Sequence, residues 1–135
     1  MKFSVLSMIT GAMAVSMSYD NNYADGSRSL DTVACSDGAN GLKGKGPAPG
    51  YSTLGSLPRF PFVGGVPAIN GWNSLACGTC WQVSYNGNSI FVLGVDSGSG
   101  GVNTSPTAFQ TLVGSLDPGR VEVQVSQVGA ASCGM

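Results

Sequence analysis

The chain has 135 residues, a length that supports one domain. Only 10% of the residues are charged, 6 Lys and Arg against 7 Asp and Glu, whereas an ordinary soluble domain has about 25%. This balance excludes a basic footprint for nucleic acid or an anionic membrane. The lack of histidine excludes Ser-His-Asp and Cys-His nucleophile pairs and histidine metal ligands. Apolar residues make up 42%, enough for a core, and the 21 glycines indicate a secreted, loop-rich β protein.

The start of the chain has the pattern of a secretion signal. A basic start at Lys2 precedes a largely apolar run, and Ala12 and Ala14 occupy the two small-residue positions of a cleavage site. The alternatives are an N-terminal strand or a membrane anchor, but an anchor needs about 20 apolar residues and this run is shorter. We therefore expect residues 1–14 to be a signal peptide and residues 15–135 to be the mature domain, with no membrane association.

Two irregular stretches are expected ahead of the first clear strand. Lys43–Pro58 is rich in glycine and proline, which predicts a long surface loop. Phe60–Gly71 is predicted to be a second irregular segment. Neither stretch has the character of a linker between two domains.

Hydrophobic patterning predicts three strands. Trp81–Tyr85 alternates apolar and polar residues, as a half-buried strand does, and Asn86-Gly87 then predicts a type I′ hairpin turn because both residues tolerate positive φ. Ser89–Asp96 is apolar on both faces, which places it at the centre of a barrel or sandwich. Val121–Val125 alternates again and predicts a strand near the C-terminus.

One helix is predicted at about Pro106–Val113. Ser105 can cap its start, Gly114 can end it, and Phe109 and Leu112 share one face. The predicted fold class is therefore mostly β with short helices.

The four cysteines form an even set, which in an exported protein predicts two disulfides. The Cys77-Gly78-Thr79-Cys80 spacing also suits a redox motif or half of a zinc site, but no second pair and no following helix pattern accompany it. We therefore expect no metal and no cofactor. Three pairings are open, and pairing Cys35–Cys77 with Cys80–Cys133 would stabilise the fold by about 4 kcal/mol per bridge.

The order of short motifs along residues 15–135 resembles that of one protein family. The motifs are Ser18-Tyr19-Asp20, Cys35-Ser36-Asp37-Gly38, Asn40-Gly41-Leu42, Gly71-Trp72-Asn73-Ser74, Cys77-Gly78-Thr79-Cys80-Trp81 and Ser132-Cys133-Gly134. Together they resemble the cerato-platanins. Two positions depart from the family pattern: Gly94-Val95-Asp96 replaces the commoner Ala-Ile-Asp, and Val102 stands where Phe is frequent.

The resemblance implies a secreted fungal protein with a six-stranded double-ψ β-barrel, similar to the first domain of expansins and to family 45 glycoside hydrolases. It also implies the disulfides Cys35–Cys77 and Cys80–Cys133. Cerato-platanins bind chitin or N-acetylglucosamine oligomers in a shallow groove without cutting them; some loosen cellulose, and many are elicitors of plant defence. The partners that the resemblance implies are these oligomers, chitin, cellulose and a plant receptor. It also implies that the protein is extracellular and associated with the cell wall, and that it is a monomer that can self-assemble.

The residues proposed for the carbohydrate-binding groove are Tyr19, Asp20, Asp96, Ser97, Gly98, Gly101 and Asn103. Asp96 ends an apolar strand, a position that suits either an acid catalyst or an acceptor for sugar hydroxyls; the alternative is that it only caps the amides of the loop that follows. That loop is rich in glycine, so a flat sugar could approach its backbone. We expect Asp96→Ala to weaken binding while leaving the fold intact.

The two tryptophans have different expected roles. Trp81 lies in an alternating strand and is predicted to be a core residue. Trp72 lies in a Gly-Trp-Asn loop, where a sugar platform and a structural role are both open.

Glycoside hydrolysis is the alternative function. It needs two carboxyl groups, about 5–5.5 Å apart for retention or roughly 6.5–9.5 Å apart for inversion. The acids that could partner Asp96 lie mostly in turn-like sequence, and none sits in a motif resembling the second acid of family 45 enzymes. A surface-active coat protein of hydrophobin type also fits the low charge, although the chain lacks the eight cysteines of that class. We therefore expect no enzymatic activity.

Overall fold

Residues 11–135, which the computed structural model describes, form a closed barrel of six strands. The strands are β1 (Met13–Tyr19), β2 (Val63–Val66), β3 (Cys80–Tyr85), β4 (Asn88–Ser97), β5 (Gly101–Thr104) and β6 (Arg120–Val128). Around the barrel they follow the order β1-β5-β2-β4-β3-β6. The pairs β1–β5 and β2–β4 are parallel, and the other pairs are antiparallel.

The helical elements lie between the strands and after the last one. The α-helix found in the described residues is α1 (Pro106–Val113), and 3-10 helices occupy Asn21–Ala24, Leu30–Thr32, Leu54–Ser56 and Ala130–Cys133. The bounds of α1 confirm the prediction. Ser105 Oγ accepts a hydrogen bond from the Ala108 amide at 3.1 Å, and Gly114 ends the helix with a φ of 93°. No helix within residues 11–135 has the length and apolar character to cross a membrane.

The predicted hairpin and its two strands are confirmed. Tyr85 pairs with Asn88 across a two-residue turn, and Asn86 and Gly87 have φ values of 52° and 86°. The strand that follows is buried on both faces from Val92 to Val95, because Val92 packs in one core cluster while Leu93 and Val95 pack in the other.

The prediction that Phe60–Gly71 is irregular was wrong, because β2 lies inside it. Val63 and Val66 are fully buried at the ends of this strand. The two glycines between them allow close strand contact: a Cβ on Gly64 would overlap the carbonyl of Asn103. Glycine has low strand propensity, so a Gly-Gly pair conceals this strand from pattern analysis.

The first strand begins before the predicted cleavage site. Residues 1–10 of the predicted signal peptide lie outside the described residues. Met13 and Ala14 open β1 and pair with Val125 and Gln124 of β6. Val15, the predicted mature N-terminus, pairs with Val123, so cleavage after Ala14 would leave most of β1 in the barrel.

The core has two parts, and the disulfides lie in one of them. In the first part, Phe109 of α1 packs against Met17 and the inward residues of β4 and β6. In the second part, Trp81 is 7% exposed and donates its Nε1 hydrogen to Thr79 Oγ1 at 2.7 Å, which confirms it as a core residue. The bridges Cys35–Cys77 and Cys80–Cys133 are both present, as the resemblance implied.

Candidate functional site

A row of residues crosses five neighbouring strands on the outside of the barrel. Arg120 of β6 pairs with Ser18 of β1, and Ser18 pairs with Asn103 of β5. Gly65 of β2 pairs with both Asn103 and Asp96 of β4. Directly paired residues share one face of a regular sheet, and the pairing of β2 with β4 shifts register between Gly64 and Gly65. We call this row, from Arg120 to Asp96, the groove row.

Ser18 and Asn103 of the groove row face outward, because the residues that flank them along the strands are buried, whereas Gly65 is itself buried beneath the Ser97–Gly98 backbone. Met17 precedes Ser18 and is fully buried, and Val102 and Thr104 on either side of Asn103 are buried as well. Neighbouring strands lie about 4.8 Å apart, so the row from β6 to β4 is roughly 19 Å long. An extended ligand that followed the row would cross the Ser97–Gly98 backbone between Asn103 and Asp96.

A shallow pocket of about 210 Å³ occupies the Arg120 end of the groove row. Its lining consists of Ser16, Ser18, Gly98, Ser99, Gly101, Val102, Asn103 and Arg120. Ser18 Oγ donates to Asn103 Oδ1 at 3.3 Å, and Arg120 Nη2 donates to Ser16 Oγ at 3.0 Å. The lining therefore offers hydroxyls, an amide, a guanidinium and glycine backbone, and it includes no carboxylate.

Asp96 lies at the other end of the groove row, with its carboxylate held by three donors. Tyr23 Oη donates to Oδ2 at 2.8 Å, and the amides of Ala34 and Ser97 donate to Oδ1 at 2.9 Å. The carboxylate caps the start of the loop, and it also ties two distant segments to β4. It is arranged as a fixed hydrogen-bond acceptor.

Tyr23 is the partner of Asp96 that sequence patterns did not reveal. Burial raises the pKa of the Tyr23 hydroxyl above its usual range, and its hydrogen bond to Asp96 raises the pKa further. The phenol therefore stays protonated and donates to the carboxylate. The guanidinium of Arg28 lies 5.5 Å from the centre of the Tyr23 ring.

The structure brings together some of the proposed groove residues and separates others. Gly98, Gly101 and Asn103 line the pocket. Tyr19 instead packs its ring 4.9 Å from that of Phe109 and donates its hydroxyl to the Leu116 carbonyl at 3.2 Å, so its contacts are with α1 and the segment after it.

Asp20 and Ser97 have local roles beside the groove row. Asp20 Oδ1 accepts from the Asn22 amide at 2.9 Å and caps a 3-10 helix. Ser97 follows Asp96 at the end of β4, and its carbonyl packs so closely on Gly65 that a Cβ there would overlap it. Neither Asp20 nor Ser97 lines the pocket.

The pocket also contains residues that were not predicted. Ser16, Ser18 and Arg120 enter it because β1 lies between β5 and β6. The alternation of Ser16 and Ser18 around Met17 was the available signal, since it marks β1 as a strand with one polar face.

Trp72 lies outside the pocket, on the segment between β2 and β3. Trp72 is 62% exposed, and its Nε1 donates to Asp37 Oδ1 at 2.7 Å. The sequence left its role open, and the structure shows that it is not a core residue.

The closed six-stranded barrel with its two parallel pairs defines the class as a double-ψ β-barrel of the expansin type. In agreement, an expansin from Clavibacter michiganensis in complex with cellohexaose superposes with a TM-score of 0.56 at 17% identity, over 87% of this chain and 50% of that one, a likeness of fold alone. The chain belongs to the cerato-platanin family, since the Cerato-platanin family model matches residues 15–135.

Individual relatives agree with this assignment. The chain is 56% identical to Cerato-platanin from Ceratocystis fimbriata f. sp. platani, with 98% of this chain and 96% of that protein covered. The solution structure of the fungal elicitor Cerato-Platanin superposes with a TM-score of 0.79 at 54% identity, over 88% of this chain and 96% of that one.

Proposed function

We propose that this protein is a secreted, non-catalytic protein of the cell wall that binds N-acetylglucosamine oligomers or chitin along the groove row. The observation that carries the proposal is the pocket lining of hydroxyls, an amide, a guanidinium and glycine backbone. Neutral sugars present many hydroxyls and acetamido groups, which need donors, acceptors and close backbone approach rather than a cluster of charge. The fixed carboxylate of Asp96 supplies a strong acceptor at the far end.

The shallow shape of the site predicts weak binding. An open groove buries only part of a ligand, and each hydrogen bond contributes little beyond the desolvation of its two groups. Since the ligand is neutral, changing the salt concentration should alter affinity less than about twofold.

Hydrolysis has less support than binding. A glycoside hydrolase needs one carboxyl group that carries a proton and a second one placed for attack. Asp96 is arranged as an acceptor for three donors, and Asp20 is occupied with the Asn22 amide.

Wall loosening and plant perception are the wider roles that we propose. A 54% identical relative is described as a fungal elicitor, which supports recognition of this chain by a plant receptor. The barrel fold is shared with an expansin that was solved in complex with cellohexaose, which supports contact with cellulose as a part of this role. The low charge is consistent with a monomer that can assemble at surfaces.

Binding can be tested by titrating the N-acetylglucosamine trimer against isotope-labelled protein. We expect the backbone signals of Gly98, Gly101 and Asn103 to move. Asn103→Ala should weaken binding about twofold to tenfold, because it removes one hydrogen-bonding group from the pocket. Gln110→Ala, which removes an exposed amide of α1, should leave affinity unchanged.

Two results would contradict the proposal. If the trimer moves no signal, the pocket is only a structural feature. If wild-type protein releases reducing sugar from chitin and Asp96→Asn does not, the protein is a hydrolase.

Secretion predicts a defined N-terminus. The mature protein should begin at Val15, which retains the strand pairs from Val15 to Ser18 with β6. Mass spectrometry of protein from the culture medium checks this, and a chain that still contains Met8 or Met13 would contradict it.

A further inference from the structure

We infer that Trp72 is a second sugar-binding platform, which extends the groove row beyond Asp96 and stacks on an outer unit of a long pyranose oligosaccharide. This inference rests on the proposed function, since it assigns Trp72 to the same ligand. Four observations carry it: the exposure of the ring, the contacts that hold it, its place beside the groove row and the carboxylate next to it.

The exposure of Trp72 contrasts with the burial of Trp81. Trp72 is 62% exposed, whereas Trp81 is 7% exposed, and the other exposed large apolar residues of the described chain are Met13, Leu75 and Met135. A tryptophan that only filled the core would bury most of its large surface. The exposed indole is therefore available to a ligand.

The indole is also held in place although it is exposed. Its Nε1 donates to Asp37 Oδ1 at 2.7 Å, and it lies against Gly38, where a Cβ would come within 3.0 Å of its Cζ2 atom. Gly38 has a φ of 86°, a conformation that suits glycine. A bulkier residue at this position would push the ring away.

Further links fix the segment that carries Trp72 to the segment that carries Asp37. The backbone amide of Asn40 donates to Asn73 Oδ1 at 2.9 Å, and Asn40 Nδ2 donates to the Asn73 carbonyl at 3.0 Å. The disulfide Cys35–Cys77 joins the same two segments. A platform held in this way loses little conformational entropy when a ligand binds.

The Asp37 segment begins beside the Asp96 end of the groove row. The Ala34 amide donates to Asp96 Oδ1, and the Cys35 amide donates to the Val95 carbonyl at 3.1 Å, so residues 34–35 lie along β4 next to Asp96. Asp37 follows Ala34 by three residues, a distance of at most about 11 Å along the backbone. Asp37 therefore lies within about 11 Å of the residue that binds Asp96, a separation that two or three sugar units of a long ligand can span.

The chemistry beside the ring favours a sugar over a protein partner. A pyranose has an apolar face of C–H groups, which packs on an aromatic ring, and hydroxyls at its rim. The Asp37 carboxylate, which accepts from the indole, is exposed and has a second oxygen that can accept from such a hydroxyl. An apolar protein surface would leave this carboxylate desolvated without a partner.

Ligand length provides the test. The N-acetylglucosamine hexamer and trimer are titrated separately into labelled wild-type protein while the indole N–H signal of Trp72 is followed. We expect the hexamer to move this signal and the trimer to leave it in place, whereas both move the signals of Gly98 and Asn103. Trp72→Ala should weaken hexamer binding about threefold to tenfold and leave trimer binding unchanged.

Two further variants separate the ring from the surface around it. Trp72→Phe retains an aromatic ring and should restore most of the hexamer affinity. Leu75→Ala removes an 88% exposed side chain from the same segment and should have no effect.

The outcomes distinguish the inference from the proposed function. If both oligomers move the pocket signals but the hexamer never moves the Trp72 signal, the inference is wrong and the proposed function stands. If neither oligomer moves any signal, both are wrong. If Trp72→Ala and Leu75→Ala leave hexamer affinity unchanged but abolish self-association, the surface binds a second copy of the chain.

Discussion

Asp96→Ala should lower the free energy of unfolding by about 2–4 kcal/mol, because a buried donor that loses its acceptor costs about 1–3 kcal/mol. The substitution removes the acceptor of the Tyr23 hydroxyl and of the amides of Ala34 and Ser97. Because Asp96 is half-buried, water can accept some of the hydrogen bonds that its carboxylate no longer accepts, which reduces the loss of stability. This expectation revises the one drawn from sequence, in which Asp96→Ala affected only the ligand.

The matched variant is Asp96→Asn, which has nearly the same shape. Its side-chain oxygen can still accept from the two amides, but its NH₂ group can only donate to the Tyr23 hydroxyl, whose own hydrogen then loses its acceptor. We therefore expect a loss of about 1–2 kcal/mol, smaller than that of Asp96→Ala. Urea unfolding of both variants measures the difference. Equal midpoints for wild type and Asp96→Ala would contradict the structural role.

Removal of the Cys80–Cys133 bridge should cost about 4 kcal/mol. The bridge joins positions 53 residues apart. Closing a loop of this length lowers the conformational entropy of the unfolded chain, which raises the free energy of the unfolded state by about 4 kcal/mol. The double variant Cys80→Ala with Cys133→Ala tests this by urea unfolding, since alanine leaves no buried hydroxyl. A loss below about 1 kcal/mol would contradict it.

The other bridge provides a comparison. Cys35–Cys77 joins positions 42 residues apart, so its removal should cost a similar amount. It should also loosen the segment that carries Trp72, while removal of Cys80–Cys133 should not. The line width of the Trp72 indole N–H signal reports this difference.

Local patterns predicted the elements that depend on local chemistry. The helix Pro106–Val113 has its cap at Ser105 and its stop at Gly114, so its bounds could be predicted closely. The turn at Asn86-Gly87 fixed the hairpin in the same way. The disulfide pairing could not be deduced from spacing and came from the family resemblance.

The parts of the fold and of the site that the sequence did not predict depend on contacts between distant parts of the chain. Gly64 and Gly65 form a strand because their neighbours pack too closely for a Cβ, and no local propensity shows this. Tyr23 and Asp96 are 73 positions apart, and Arg120 and Ser16 are 104 apart. Sequence identified Asp96 and Asn103 as polar groups near a barrel edge, and the alternation of Ser16 and Ser18 around Met17 indicated a polar strand face. Only the barrel topology places these two serines and Arg120 beside Asn103.

The position of β1 has a consequence for how the chain folds. Its neighbours are β5 and β6, and Ser18 reaches its partner Asn103 only 85 positions later. The strand β1 is synthesised first, but the backbone groups at both of its edges stay unpaired until nearly the whole chain has been made. Folds dominated by such non-local pairing have high contact order and close in milliseconds to seconds. Barrel closure is thus the late step of folding, and the groove row, which crosses β1, forms only when that step is complete.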